Sequence, residues 1–72
     1  MPRTAAYKRI ADEIRSCIAS GQIRPGDQLP SIAQLSEVYG VSVQPVKYAL
    51  LVLQTEGLVE GQQGRGVFVL GR

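Results

Sequence analysis

Residues 35–50 read Leu-Ser-Glu-Val-Tyr-Gly-Val-Ser-Val-Gln-Pro-Val-Lys-Tyr-Ala-Leu. Residues 56–59 follow as Glu-Gly-Leu-Val, and residues 62–70 as Gln-Gln-Gly-Arg-Gly-Val-Phe-Val-Leu. Gly40 ends one helical pattern, and Val41-Ser42 leads straight into the next. Ser42 is expected to cap that next helix, Val43 to Glu56. Pro45 falls in its first turn, where a missing N–H breaks no intrahelical bond. Val46, Ala49, Leu50 and Leu53 recur at three- and four-residue steps, which marks one buried face. Gly57 closes the helix. Leu58 to Gln62 and Gly66 to Leu70 read as two antiparallel strands around the loop Gln63-Gly64-Arg65.

Upstream, the apolar residues Tyr7, Ile10, Ala11, Ile14, Cys17 and Ile18 have helical spacing. They predict a first helix over about 4–20, with Thr4 as N-cap and Gly21 at the terminating C′ position. Arg24-Pro25-Gly26-Asp27 is turn chemistry, and Leu29 is expected in a very short strand. Ser31 followed by Gln34 is a capping box that opens a helix over about 31–39. Ile32, Leu35 and Tyr39 line its inner face, and Gly40 ends it. The fold class expected is α+β, mostly α: a three-helix unit with a short two-stranded antiparallel wing at 58–70. The whole of residues 1–72 is expected to be one domain.

The chain has 72 residues, of which 44% are hydrophobic and only four are aromatic: Tyr7, Tyr39, Tyr48 and Phe68. One small core built mostly from Ile, Leu, Val and Ala is therefore expected. Lys and Arg exceed Asp and Glu by 8 to 6, a net charge of +2. So small an excess makes the distribution of charge matter more than its total. Between Val38 and Thr55 there is no acid, and Lys47 lies in that gap. The lone Cys17 can form neither an intramolecular disulfide nor a cysteine metal cluster. It reads as a small buried hydrophobe.

There is no histidine, and nothing resembles a nucleophile with its base. Asp12 and Glu13 fall on the solvent side of the first helix, where charge is usually just solvated. No enzymatic activity, metal or cofactor is expected. No apolar run approaches the ~18 residues of a membrane span, and no apolar signal core opens the chain. A cytoplasmic location without membrane contact is the expectation.

Two helices joined by a short glycine turn form a helix-turn-helix, which presents the first turns of its second helix to the DNA major groove. The outward positions there are Val43, Gln44, Lys47 and Tyr48. A plain helical hairpin would have the same pattern. The glycine-flanked Arg65 adds a cation at a hairpin tip able to approach a phosphate or the minor groove. An ordinary turn with a solvated arginine is its simpler reading. A nucleotide-phosphate loop is excluded, because Gly61-Gln-Gln-Gly-Arg-Gly lacks the Gly-Lys-Ser/Thr ending and no helix follows.

Five segments together resemble the DNA-binding domain of GntR-type bacterial transcriptional regulators. They are Pro25-Gly26-Asp27-Gln28-Leu29-Pro30-Ser31, Leu35 to Ser42, Val46 to Leu50, Leu53 to Val59, and Gln63 to Val69. The resemblance implies a winged helix-turn-helix that binds double-stranded DNA as a homodimer on a pseudo-palindromic operator. It implies that Ser31, the first turns of the third helix (Ser42, Val43, Gln44, Pro45, Lys47, Tyr48) and the wing tip (Gln63, Gly64, Arg65, Gly66) touch DNA. A transcriptional repressor of bacterial, plasmid or phage origin is expected, with Arg3, Lys8 and Arg9 as flanking cations.

The chain departs from the family pattern in three ways. Ala33 and Val43 stand where the family usually carries arginine, and only charge is kept at Lys47. Arginine's bidentate fork to guanine is thus missing from the reading helix. Leu51 and Val52 replace usual charges, so Tyr48, Leu51, Val52 and Thr55 form an outer apolar stripe. Scattered surface hydrophobes are normal, but a partner or self-association surface is the sharper expectation. The chain also ends at Arg72, where regulators of this family usually continue. A natural short protein and a fragment both fit. No small-molecule effector is expected to bind here. The competing reading is a winged-helix module for protein interaction or nucleoprotein assembly, with weak DNA affinity.

Overall fold

The computed structural model describes residues 5–71. Three helices, α1 (Ala6–Ser20), α2 (Ile32–Tyr39) and α3 (Val43–Thr55), precede a hairpin of β1 (Val59–Gln62) and β2 (Gly66–Val69). The strands pair antiparallel, with Val59 opposite Val69 and Gln62 opposite Gly66. The expected α+β winged helix-turn-helix is the observed fold.

The apolar periodicities converge on one core. Ile10, Ala11 and Ile14 of α1, Leu35 of α2 and Val46, Ala49, Leu50 and Leu53 of α3 are buried, together with Leu29, Val59 and Val69. Tyr7, Ile18, Ile32 and Tyr39 pack against this core without being fully covered. Complete burial of an Ile, Leu or Val side chain stabilises by about 1.5–3 kcal/mol. Helix packing on this scale therefore dominates over propensity in such a short chain.

The C-terminal ends of α2 and α3 both follow from glycine. Gly40 takes φ 68°, so Val41 N–H can donate to Ser36 O at 3.0 Å and Gly40 N–H to Glu37 O at 3.3 Å. Gly57 takes φ 78° and repeats the motif, with Leu58 N–H donating to Leu53 O at 3.0 Å. These left-handed terminations satisfy orphan carbonyls and reverse the chain within two residues. The capping box of α2 forms as expected: Gln34 N–H donates to Ser31 Oγ at 3.1 Å, and Ser31 N–H donates to Gln34 Oε1 at 2.8 Å.

Several details differ from the sequence expectations. The N-cap of α1 is Ala5, whose side chain makes no cap hydrogen bond. Thr4 and Arg3 lie outside the described residues. The strand expected at Leu29 is a single bridge between Gln28 and Phe68. Asp27 and Pro30 flank that site, and the turn before it and α2 after it leave no room for a longer strand. Cys17 is half-buried rather than buried. Asp12 and Glu13 are exposed but engaged: Arg15 donates to Asp12 at 2.6 Å and to Glu56 at 2.8 Å, and Tyr39 Oη donates to Glu13 at 2.9 Å.

Burial, then the hydrogen bond to Glu13, pushes the Tyr39 phenol from 10.0 up to about 12. The folded state thus holds the phenolic proton more tightly than the unfolded chain does. Its contribution to stability is complete below pH 10 and is lost as pH climbs through about 12. An alkaline titration followed by phenolate absorbance should show one component displaced to about 12, and Tyr39→Phe should remove it. At neutral pH the same substitution should cost about 0.5–1.5 kcal/mol in urea denaturation.

Candidate nucleic-acid interface

The core fixes which side of α3 is free. With Val46, Ala49, Leu50 and Leu53 buried, the outer side carries Val43, Gln44, Lys47, Tyr48 and Leu51, all exposed. At 3.6 residues per turn, Gln44, Leu51 and Thr55 share one line along the helix.

The entry of α3 departs from the expected cap. Ser42 has the extended backbone of an N-cap residue, φ −72° and ψ 175°, yet its side chain makes no cap hydrogen bond. A capping hydroxyl accepts from the second or third helical residue, and the Gln44 N–H, at the second, makes no bond to it. The third is Pro45, which has no N–H. The Ser42 hydroxyl is therefore left for an outside partner. The Val43 and Gln44 N–H groups belong to the unsatisfied first turn, where the helix dipole favours an anion.

A groove of about 270 Å³ runs between the wing and the start of α2, and Ser31, Ile32, Leu50, Arg65, Gly66 and Val67 help line it. A second groove of about 310 Å³ carries Lys47, Leu51 and Gln54 and shares Ile32, Leu50 and Val67 with the first. No acidic residue lines either groove. The structure thus brings Ser31 and Arg65 to one groove and Lys47 to its neighbour. Ser42, Val43, Gln44, Pro45 and Tyr48 line neither; they lie on α3 outside both.

The wing tip is exposed at Gln63, Gly64, Arg65 and Gly66. Arg65 N–H donates to Gln62 O at 2.9 Å, closing a turn whose third residue, Gly64, takes φ 77°. Such a conformation favours glycine. Tyr48 is less free than an outward position suggests. Its ring meets Tyr7 edge-to-face at 4.5 Å between centroids, so α1 holds it to one side of the exposed face of α3. The apolar stripe is exposed: Tyr48 at 51% and Leu51 at 53%, with Val52 and Thr55 lining a third groove of about 230 Å³.

Sequence reasoning missed two glutamines. Gln28 Nε2 donates to Arg65 O at 2.7 Å, and Gln54 Nε2 lies so near Gly61 that an added methyl would come within 2.9 Å. Neither position has a local signal, because the contacts span 37 and 7 residues and exist only once the hairpin folds back.

The model of the gntR family of bacterial regulatory proteins matches residues 6–69. The chain belongs to that family. It is 43% identical over 63 residues to the mannosyl-D-glycerate transport/metabolism system repressor MngR of Escherichia coli, covering 88% of this chain and 26% of that protein. The chain thus spans about a quarter of the length of this curated relative. Among solved structures, it is similar to YtrA of Sulfolobus acidocaldarius, a GntR-family transcription factor. That likeness has TM-score 0.88 and 39% identity, over 99% of this chain and 60% of the other. It is also similar to the DNA-binding domain of AraR in complex with operator ORX1, with TM-score 0.85 and 35% identity, over 88% of this chain and 76% of the other. Among the described residues of this gntR-family chain, no helix is long and apolar enough to cross a membrane.

The two caps are expected to respond differently to truncation. Ser31→Ala removes a formed capping box and should cost about 0.5–2 kcal/mol in urea unfolding. Ser42→Ala removes no cap bond, so its cost should stay below about 0.5 kcal/mol. Equal costs for the two would show that the Ser42 hydroxyl caps α3 after all.

Proposed function

We propose that this chain binds double-stranded DNA in a sequence-specific manner and acts as a transcriptional repressor, paired as a homodimer on its operator. One observation carries this reading. The first turn of α3 presents Ser42, Val43 and Gln44 with no internal use for their donors, beside acid-free grooves rimmed by Lys47 and Arg65. The likeness to an AraR domain in complex with an operator supports double-stranded DNA as the partner.

In this reading α3 enters the major groove by its N-terminal end. Gln44 is the residue able to bond adenine in bidentate fashion, and Val43 and Pro45 can press on a thymine methyl. Lys47 and Arg65 attract phosphates, and Ser31 with the start of α2 holds another through its hydroxyl and the N–H groups of Ile32 and Ala33. Gln63, Gly64 and Gly66 let the wing backbone approach closely. Lys8 and Arg9, both exposed on α1, supply flanking charge. With Ala33 and Val43 in place of arginines, recognition leans less on guanine than the family pattern does. The setting is the cytoplasm, where the DNA is. The described residues act without catalysis, cofactor or small-molecule effector.

A second reading is favoured by the stripe of Tyr48, Leu51, Val52 and Thr55, in which a second copy of this chain packs on α3. That surface adjoins Gln44 on the same side of the helix, so such packing would compete with DNA. Leu51→Lys should then abolish any concentration-dependent increase in sedimentation coefficient. No such increase in the wild type would remove the reading.

Two outcomes test the main proposal on a duplex recovered by selection from random DNA. Gln44→Ala should cost about 1–3 kcal/mol, confined to one base step in a panel of substituted duplexes. Equal loss on every sequence would contradict base reading by Gln44. If each monomer neutralises about 3–4 phosphates, the log–log salt slope should be on the order of −5 to −7 for the dimer. No binding at low salt would favour the interaction module instead.

A further inference from the structure

Gln28 is joined to the wing by both backbone and side chain. Its backbone bridges Phe68 of β2, and on either side Val69 N–H donates to Asp27 O at 2.9 Å and Leu29 N–H to Val67 O at 2.8 Å. The side chain then continues along β2 toward the hairpin tip, where Nε2 donates to Arg65 O at 2.7 Å. It lies directly on Gly66. A methyl added there would come within 2.5 Å of Nε2, and the φ of 119° at Gly66 independently disfavours any side chain.

Arg65 is exposed, and both ion pairs among the described residues are made by Arg15. The guanidinium is therefore aimed only by its own backbone. That backbone is held at the N–H by Gln62 across the turn, and at the C=O by Gln28 from the body of the fold. The first bond shapes the tip but moves with it. The second ties the tip to the segment that enters α2, next to Ser31.

We propose that Gln28 is a positioning residue for DNA binding: its amide clamps the Arg65 carbonyl, so that the wing cation is pre-aimed at the backbone phosphate beside the Ser31 groove. This rests on the reading of Arg65 as a phosphate contact. A pre-aimed cation loses less freedom on binding than one on a hinged tip. The Arg65 contact is then made fully only while Gln28 holds the loop.

Gln28→Met tests this, because it keeps side-chain length and removes the amide that donates to Arg65 O. Gln28 is exposed, and a cooperative thermal melt checks that the variant folds. Binding would be followed by fluorescence anisotropy across a salt series, using a duplex selected from random DNA by the wild-type protein. Arg65→Ala should weaken binding about tenfold and reduce the magnitude of the log–log salt slope by about 2, one phosphate contact being lost from each subunit of the dimer. Gln28→Met removes no charge, yet it should weaken binding about three- to fivefold and also flatten the salt slope. In the double variant, Gln28→Met should add less than about twofold to the loss from Arg65→Ala. An unchanged salt slope in Gln28→Met, with additive losses in the double variant, would overturn the positioning role while leaving Arg65 as a contact. Arg65→Ala with wild-type affinity and slope would instead remove the phosphate contact itself, and the clamp with it.

Discussion

The burial of one face of α3 is the constraint on which the rest of the structure depends. Val46, Ala49, Leu50 and Leu53 are all but fully withdrawn from solvent. They are packed among α1, α2 and β1. A helix held by four core residues at three- and four-residue steps cannot rotate without exposing them. The opposite side is therefore set, and whatever stands at Val43, Gln44, Lys47 and Leu51 is presented outward. The glycine terminations at Gly40 and Gly57 serve the same end, because they let α2 and β1 return to the core within two residues of α3.

The wing depends on this anchoring at one remove. Val59 and Val69 tie the base of the hairpin into the core, but the tip lies beyond the last strand pair, Gln62 with Gly66. Two glutamines from the body lie against two of the three glycines of the hairpin: Gln54 of α3 against Gly61 and Gln28 against Gly66. Gly66 requires glycine because its φ is 119°, whereas at Gly61 a side chain would only displace the end of the exposed Gln54. The grooves between the wing and the helices stay open and acid-free, with Arg65 on one rim and Lys47 on another.

Most of the fold was legible in the sequence because it is encoded locally. Helical periodicity, the Ser31–Gln34 capping box, Gly40 and the Gly64–Arg65–Gly66 tip each carry a short-range signal, and each takes the expected place. What was not legible depends on partners far apart in the chain. Gln28 reaches Arg65, Tyr7 restrains Tyr48, and Tyr39 finds Glu13, at separations no local pattern marks. One of the two donors a Ser42 cap could use is missing for a reason that was visible but unused: Pro45 at the third helical position offers no N–H. Ala33 and Val43 are equally local, and both are exposed.

In the proposed function the N-terminal turns of α3 and the wing tip together form the DNA-contacting surface. Backbone amide chemical-shift mapping during titration with a selected duplex tests it most directly. The account predicts the largest changes at residues 42–48 (Pro45 has no amide), around Ser31 to Ala33, and at residues 63–66. Binding accompanied by changes confined to the exposed side of α1, or to Val52 and Thr55, with residues 42–47 and 63–66 unmoved, would contradict it.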